Sequence, residues 1–193
     1  MRRLIFLLGL GLILAACQPP QPGCARLPGG GAYCLQNGPG PVFSSLQRSV
    51  LSAGGQRQTL LTRIESDGSG LRFAAMTPLG QTLFFVSWEN SVLHADMPPV
   101  MASRLDPATM PALVQIAMWP AATVRAGLSA ELELIEENGR RRLRRKDADN
   151  GEDILDISWE GSLPYRQLRI VSPAGFRLDA RAIDGDASGD RAQ

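Results

Sequence analysis

The side chains able to do covalent, metal or proton chemistry are few in this chain of 193 residues: three cysteines and a single histidine. His94 has neither a nucleophile nor a second metal ligand near it in sequence, and reads as a surface or edge-strand residue. Cys24 and Cys34 stand too far apart for a Cys-x-x-Cys redox pair. A metal site would need more ligands than the chain offers beside them. A structural disulfide closing a small Gly/Pro loop is their expected use in an oxidising compartment. Asp147, Asp149 and Asp153, beside Asn150-Gly151, lack the spacing and the closing Glu of a calcium loop and read as a polar connection. Gly29-Gly30-Gly31 neither follows a strand nor opens a helix, so it is no phosphate loop, and Gly-x-Ser-x-Gly does not occur. The pattern points away from an enzyme and calls for no cofactor or metal. A hydrolase or transferase would need a convergent set of polar side chains inside a cleft.

Cys17 has the most specific setting. Arg2 and Arg3 are followed by an uncharged, mainly apolar run from Leu4 to Ala16. That run is too short to span ~30 Å of hydrocarbon, which takes about 20 helical residues, and suits the centre of a secretory signal. It ends Leu14-Ala15-Ala16-Cys17, which resembles a lipobox, the processing site of bacterial lipoproteins. The small residues fit the signal peptidase, the Cys17 thiol takes a diacylglyceryl group, and the freed amine is usually acylated as well. One acyl chain anchors marginally, and two or more hold stably. Gln18 rather than Asp follows the cysteine, which by family analogy favours the outer membrane, on its periplasmic face. Residues 1–16 are thus expected to be a signal peptide, 17–41 a lipidated tether crowded with Pro and Gly, 42–183 the folded domain and 184–193 a disordered tail. A net charge of +1 gives no reason to expect nucleic acid as a partner.

The elements between tether and tail read mainly as antiparallel strands. Val42 to Leu51 has Phe43, Leu46 and Val50 at helical spacing and predicts a short amphipathic helix. Gln58 to Glu65 reads as a strand, Asp67-Gly68-Ser69-Gly70 as a turn, and Leu71 to Met76 as the returning strand. After Thr77-Pro78-Leu79-Gly80 comes a strand from Gln81 to Glu89 that is apolar on both faces, a pattern that demands cover on both sides or a cavity. A short strand, Val92 to Ala95, completes this part.

The middle is helical. Asp106-Pro107 starts a helix whose apolar residues run to Trp119-Pro120, and a second short one ends at Gly127. Only Arg125 is charged between Pro107 and Leu128, so this pair must be buried. Asn138-Gly139 predicts a type I′ hairpin that sets Glu137 against Arg140, Glu133 against Arg144, Glu136 against Arg141 and Leu134 against Leu143. The acidic partner strand makes the basic run Arg140 to Lys146 a solvated hairpin rather than a nucleic-acid or anionic-lipid patch. Ile154 to Glu160, Gln167 to Val171 and Phe176 to Ile183 follow as strands. The expected fold class is mainly β, of α+β type: one curved antiparallel sheet with a helical insertion.

Leu79, held at a bend by Pro78 and Gly80, is open to two readings. It either folds back into the core or stays in water, forgoing roughly 1.5–3 kcal/mol of burial that a bilayer or acyl chain could restore. The lipobox, the strand leading to Pro78-Leu79-Gly80, Thr82 just after it, and the helical stretch from Met110-Pro111-Ala112-Leu113 through Trp119-Pro120 to Gly127-Leu128 together resemble the outer-membrane lipoprotein receptor LolB. The likeness extends over about Leu46 to Ile183. It is closer still to a poorly characterised group of LolB-like lipoproteins whose genes often accompany fatty-acid-type or aryl-polyene biosynthesis. The resemblance implies a LolA/LolB-like unclosed β-barrel covered by short helices, an apolar space that accepts acyl chains, and Leu79 as the membrane-directed residue. The Cys24/Cys34 pair, the Pro/Gly-rich entry and the short Asp-Gly-Ser-Gly turn depart from that pattern and put the cargo in question.

On this basis the expected function is that of a lipid or lipoprotein acceptor, taking acyl or polyene chains from a LolA-like periplasmic carrier. The candidate cleft residues are Phe73, Met76, Phe85, Trp88, Leu113, Ile116 and Trp119. The chain is expected to be a monomer held on the membrane by its lipid. The alternative is a structural or assembly lipoprotein of an envelope complex, with the same fold, a filled core and no lipid cargo.

Overall fold

The computed structural model describes residues 23–103, 105–146 and 152–183. Cys17 with its signal sequence, Asp147 and Asp149, and the tail 184–193 lie outside the described residues. The strands are β1 (Cys24–Arg26), β2 (Ala32–Cys34), β3 (Val42–Ala53), β4 (Gln56–Asp67), β5 (Leu71–Met76), β6 (Thr82–Glu89), β7 (Val92–Asp96), β8 (Leu132–Glu137), β9 (Arg140–Arg145), β10 (Asp153–Glu160), β11 (Gln167–Ser172) and β12 (Phe176–Ala182). Three helices, α1 (Pro99–Ala102), α2 (Thr109–Met118) and α3 (Ala121–Gly127), separate β7 from β8.

β3 to β12 form one antiparallel sheet in the order β7-β6-β5-β4-β3-β12-β11-β10-β9-β8. Two meanders, β3–β7 and β8–β12, are joined where β12 pairs with β3, Leu178 opposite Leu51 and Ala182 opposite Gln47. The edges β7 and β8 do not meet, so the curved sheet is not closed into a barrel. The helices bridge these edges. Every residue of α2 is buried, Thr109 through Met118, as the charge-poor sequence requires.

The segment expected to be an amphipathic helix, Val42 to Leu51, is instead most of β3. Its inward face carries Phe43 but also Ser45, Gln47 and Ser49, all buried. The apolar residues counted at helical spacing fall on both sides of a strand. Pairing on both edges, to β4 and to β12, outweighs that local pattern. The β3–β4 turn is Gly54-Gly55, with φ of 57° and 76°, the two left-handed positions of a type I′ hairpin.

The Asn138-Gly139 hairpin forms with the expected partners, Glu137 opposite Arg140, Glu133 opposite Arg144 and Leu134 opposite Leu143. Two details differ. Gly139 has a φ of 71° but Asn138 is not left-handed, so the turn is not type I′. Nor is the hairpin solvated on both faces: Leu134, Leu143 and Arg141 are buried, because this face meets the helices.

The expected tether, 17–41, is corrected from Gly23 onward. Cys24 and Cys34 form a disulfide across the β1–β2 hairpin, and Ala25, Leu27, Tyr33 and Leu35 are core residues. The side chain of Gln115 on α2 fastens the following loop. Its Oε1 accepts from the Gln36 N–H (2.9 Å) and the Tyr33 hydroxyl (3.0 Å), and its Nε2 donates to the Gln36 carbonyl (2.9 Å). Trp88 Nε1 donates to that same carbonyl (3.0 Å). The Pro and Gly content of this stretch serves turns packed against the sheet rather than a free linker. Burial pushes the Tyr33 hydroxyl pKa up, and nearby Arg141 only partly counters it, so Tyr33 stays a neutral donor.

Arg141 lies beneath the end of α2. Its Nη1 donates to the carbonyls of Ile116 (2.8 Å), Ala117 (3.3 Å) and Trp119 (2.7 Å). Its Nε donates to Glu136 Oε2 (2.8 Å), and the guanidinium sits 5.6 Å from the Trp159 ring centroid. A helix end leaves its last carbonyls unpaired, and here a buried cation takes them. Replacing this group with a neutral, shorter side chain strands the carbonyls without water. Arg141→Ala is expected to cost about 3–5 kcal/mol in urea unfolding. A loss under about 1 kcal/mol would show that the helix end is satisfied in another way.

Candidate functional site

Two features stand out where sheet and helix meet: an exposed hairpin tip and a small cavity bordered by polar residues.

The tip joins β5 to β6. The Gly80 N–H donates to the Thr77 carbonyl (2.9 Å), the Thr77 N–H to the Gln81 carbonyl (2.8 Å), and the Gln81 N–H to Thr77 Oγ1 (3.2 Å). Gly80 has a φ of 84°, a conformation cheap only for glycine. This fixed turn holds Leu79 in water at 89 % exposure. Of the two sequence readings, solvent exposure is the one the structure has. Because Asp96 at the end of β7 lies opposite Phe85 of β6, the chain leaving β7 heads for the same end of the sheet. There Val100 on α1 is 67 % exposed.

The cavity lies between β3, β4 and β5 on one side and the first half of α2 on the other, with β11 and β12 completing the wall. Its volume is about 20 Å³, room for one water. Met110, Leu113 and Val114 roof it, and Gln47, Ser49 and Thr62 lie on its floor. Ser49 Oγ and Thr62 Oγ1 share a hydrogen bond of 2.8 Å. Gln47 is 1 % exposed, and its Nε2 has no hydrogen-bond partner among the described residues. A buried donor left unpaired costs about 1–3 kcal/mol.

The expected cleft residues divide. Phe73 and Leu113 line the cavity. Trp88, Ile116 and Trp119 are buried but belong to the surrounding core: Trp88 bonds Gln36, while Ile116 and Trp119 supply carbonyls to Arg141. Phe85 stands on the outer face, in a groove with Arg63, Glu65 and Arg72, and Met76 is only half-buried, paired with Leu61 rather than with an inward residue. These two are not cleft residues: strand alternation sends them to the other side of the sheet from Phe73 and Phe84. The sequence reading does not foresee the buried polar residues of β3. Reading 42–53 with a period of two would have put Ser45, Gln47 and Ser49 on one face with Phe43.

His94 is exposed on the edge strand β7, opposite Ser87. Among the described residues no group of three His, Cys, Asp or Glu could hold a metal ion, and no helix is long and apolar enough to cross a membrane.

No curated protein matches the chain. A family match runs from residue 44 to residue 177, from β3 into β12, and so takes in the tip, the helices and the cavity. The chain belongs to the family described as "Protein of unknown function (DUF3261)".

Proposed function

We propose that this protein is a lipid-anchored acceptor of acyl chains, held through Cys17 on the periplasmic face of the outer membrane. Its cargo enters between α2 and the inner face of β3 to β5, delivered by a soluble LolA-like carrier. The observation that carries this reading is Leu79, an apolar side chain kept in water by a turn with no slack. It sits where it can enter a bilayer beside the cargo.

The resting cavity is only about 20 Å³, so a chain enters only when the helix moves off the strands. The contacts favour one way of moving. The last turn of α2 is held by Arg141, and its middle is held by Gln115 bonded to Gln36. The first half, with Met110, Leu113 and Val114, touches the cavity through apolar side chains. A pivot about the pinned end exchanges these contacts for contacts with an acyl chain, at ~0.8 kcal/mol for each CH₂ buried. The Gln47 Nε2 then offers its unused N–H to a carbonyl or carboxylate oxygen of the cargo.

The competing reading is an envelope assembly protein with a filled core. It draws on the packing of residues 23–41 and on the small resting cavity. Fatty-acid binding separates the two. A fluorescent fatty-acid analogue is expected to bind the full chain and to be displaced by unlabelled fatty acid. Absence of both binding and copurifying lipid would leave the assembly reading.

Gln47→Leu is expected to raise stability by about 1 kcal/mol in urea unfolding, since it removes an orphaned donor, and to weaken probe binding about fivefold to tenfold. A destabilised variant that binds normally would show that Gln47 does not meet the cargo. Leu79→Glu is expected to change unfolding free energy by less than about 0.5 kcal/mol while abolishing transfer of bound lipid to vesicles. Unimpaired transfer would remove the membrane role of the tip.

A further inference from the structure

On the outer face of the sheet, at the junction of the two meanders, Arg48, Arg57, Arg169, Arg177 and Arg181 line a shallow groove of about 320 Å³ with a single carboxylate, Asp179. Elsewhere on this face arginines are matched one by one. Arg63 meets Glu65, Arg72 meets Glu89, Arg140 meets Asp156, Arg142 meets Glu137, Arg144 meets Asp153 and Arg166 meets Glu160. In the groove Asp179 holds Arg169 (2.8 Å) and Arg177 (2.6 Å). Burial by itself would raise the Asp179 pKa, but hydrogen bonds from the two arginines prevail and hold it low, so its charge is already committed. Arg48, Arg57 and Arg181 have no ion pair among the described residues.

Moreover, Arg48 and Arg181 lie directly opposite each other on β3 and β12. Like charges in that position destabilise a sheet. The outer face of the large sheet neutralises its other arginines, yet leaves these three free and accepts repulsion between two of them.

We propose that this face is a docking surface for the phosphate groups of anionic phospholipids. Its charge is complementary to a phospholipid surface, and its position is continuous with the exposed tip. Leu61 on β4 pairs with Met76 on β5. Arg57 lies four residues further along β4 toward the end where Leu79 projects, about one strand spacing of 4.8 Å to the side. Ser52 pairs with both Arg57 and Arg177, so the basic row continues across β3. A membrane surface that receives Leu79 meets this row next. The surface does not depend on acyl cargo, because a protein that only docks would use it in the same way.

The test compares full-length chains carrying Cys17→Ser, which cannot be lipidated, in their partitioning to two kinds of vesicle. One is phosphatidylcholine alone. The other is equal parts phosphatidylcholine and phosphatidylglycerol. The measured quantity is the anionic-to-neutral ratio of partition coefficients, to which the N-terminal segment contributes equally in every variant. Arg48→Gln/Arg57→Gln/Arg181→Gln is expected to lower this ratio about a hundredfold, the scale for three basic side chains at an anionic surface, while leaving unfolding free energy unchanged or higher. Arg63→Gln/Arg72→Gln/Arg166→Gln, which removes the same charge from paired sites, is expected to keep the ratio within a few-fold of the parent. Equal loss in both triple variants would overturn the proposal in favour of net charge alone. A parent ratio near unity together with salt-sensitive retention on heparin would overturn it in favour of a soluble polyanion. Either result would leave fatty-acid binding, measured separately, unaffected.

Discussion

The fold depends on a guanidinium group placed under the end of a buried helix. α2 lies against the sheet with all its residues out of water, so its last carbonyls have no solvent to turn to. Arg141 comes from the second meander and satisfies the carbonyls of Ile116, Ala117 and Trp119. Its own charge is balanced by Glu136 and the face of Trp159. The same group therefore ends the helix, fixes the angle at which it lies and ties β9 to it. Gln115 does the equivalent for the N-terminal loop, bonding both backbone groups of Gln36. A helix pinned at its end and middle but packed only by apolar contacts over its first half has one soft direction, and the cavity lies on that side.

Much of this architecture was legible in the sequence because it is local. The pairing of Glu133, Glu136 and Glu137 with Arg144, Arg141 and Arg140 follows from a two-residue loop and strict alternation, and a stretch bounded by Asp106-Pro107 and Gly127 with Arg125 as its one charge has to be a buried helical pair. The errors share a physical origin in long-range contacts. β3 is polar on its buried face, and only its partners β4 and β12 make Ser45, Gln47 and Ser49 inward residues. The Gly/Pro-rich stretch after Gly23 looks like a linker until Tyr33 meets Gln115, far away in sequence. Arg141 sits in a run of arginines, and nothing local distinguishes the one that turns inward. Hydrophobicity alone makes Phe85 and Met76 cleft candidates, and strand parity places them on the other face.

The buried polar face of β3 and β4 sets the chemistry of the interior. An oil-filled sheet would carry leucine or valine at positions 47, 49 and 62. Here Ser49 and Thr62 satisfy each other, while Gln47, beside the cavity, keeps an unused N–H. Such a donor lowers stability while it waits and adds affinity for any ligand that brings an oxygen to it.

The costs carried by this protein are not spread evenly. The β8–β10 hairpins are well satisfied on their outer face: Arg140, Arg142 and Arg144 are paired with carboxylates, and Arg141 turns inward to helix carbonyls. The first meander and its junction hold the orphaned Gln47, the like-charged pair Arg48 and Arg181, the unpaired Arg57 and the exposed Leu79. Local rules of stability are broken most often where a surface or interior has another task. One half of the sheet thus acts as a rigid frame that anchors the helix. The other half holds an exposed apolar tip, a basic outer face and, buried on its inner face, a hydrogen-bond donor without a partner.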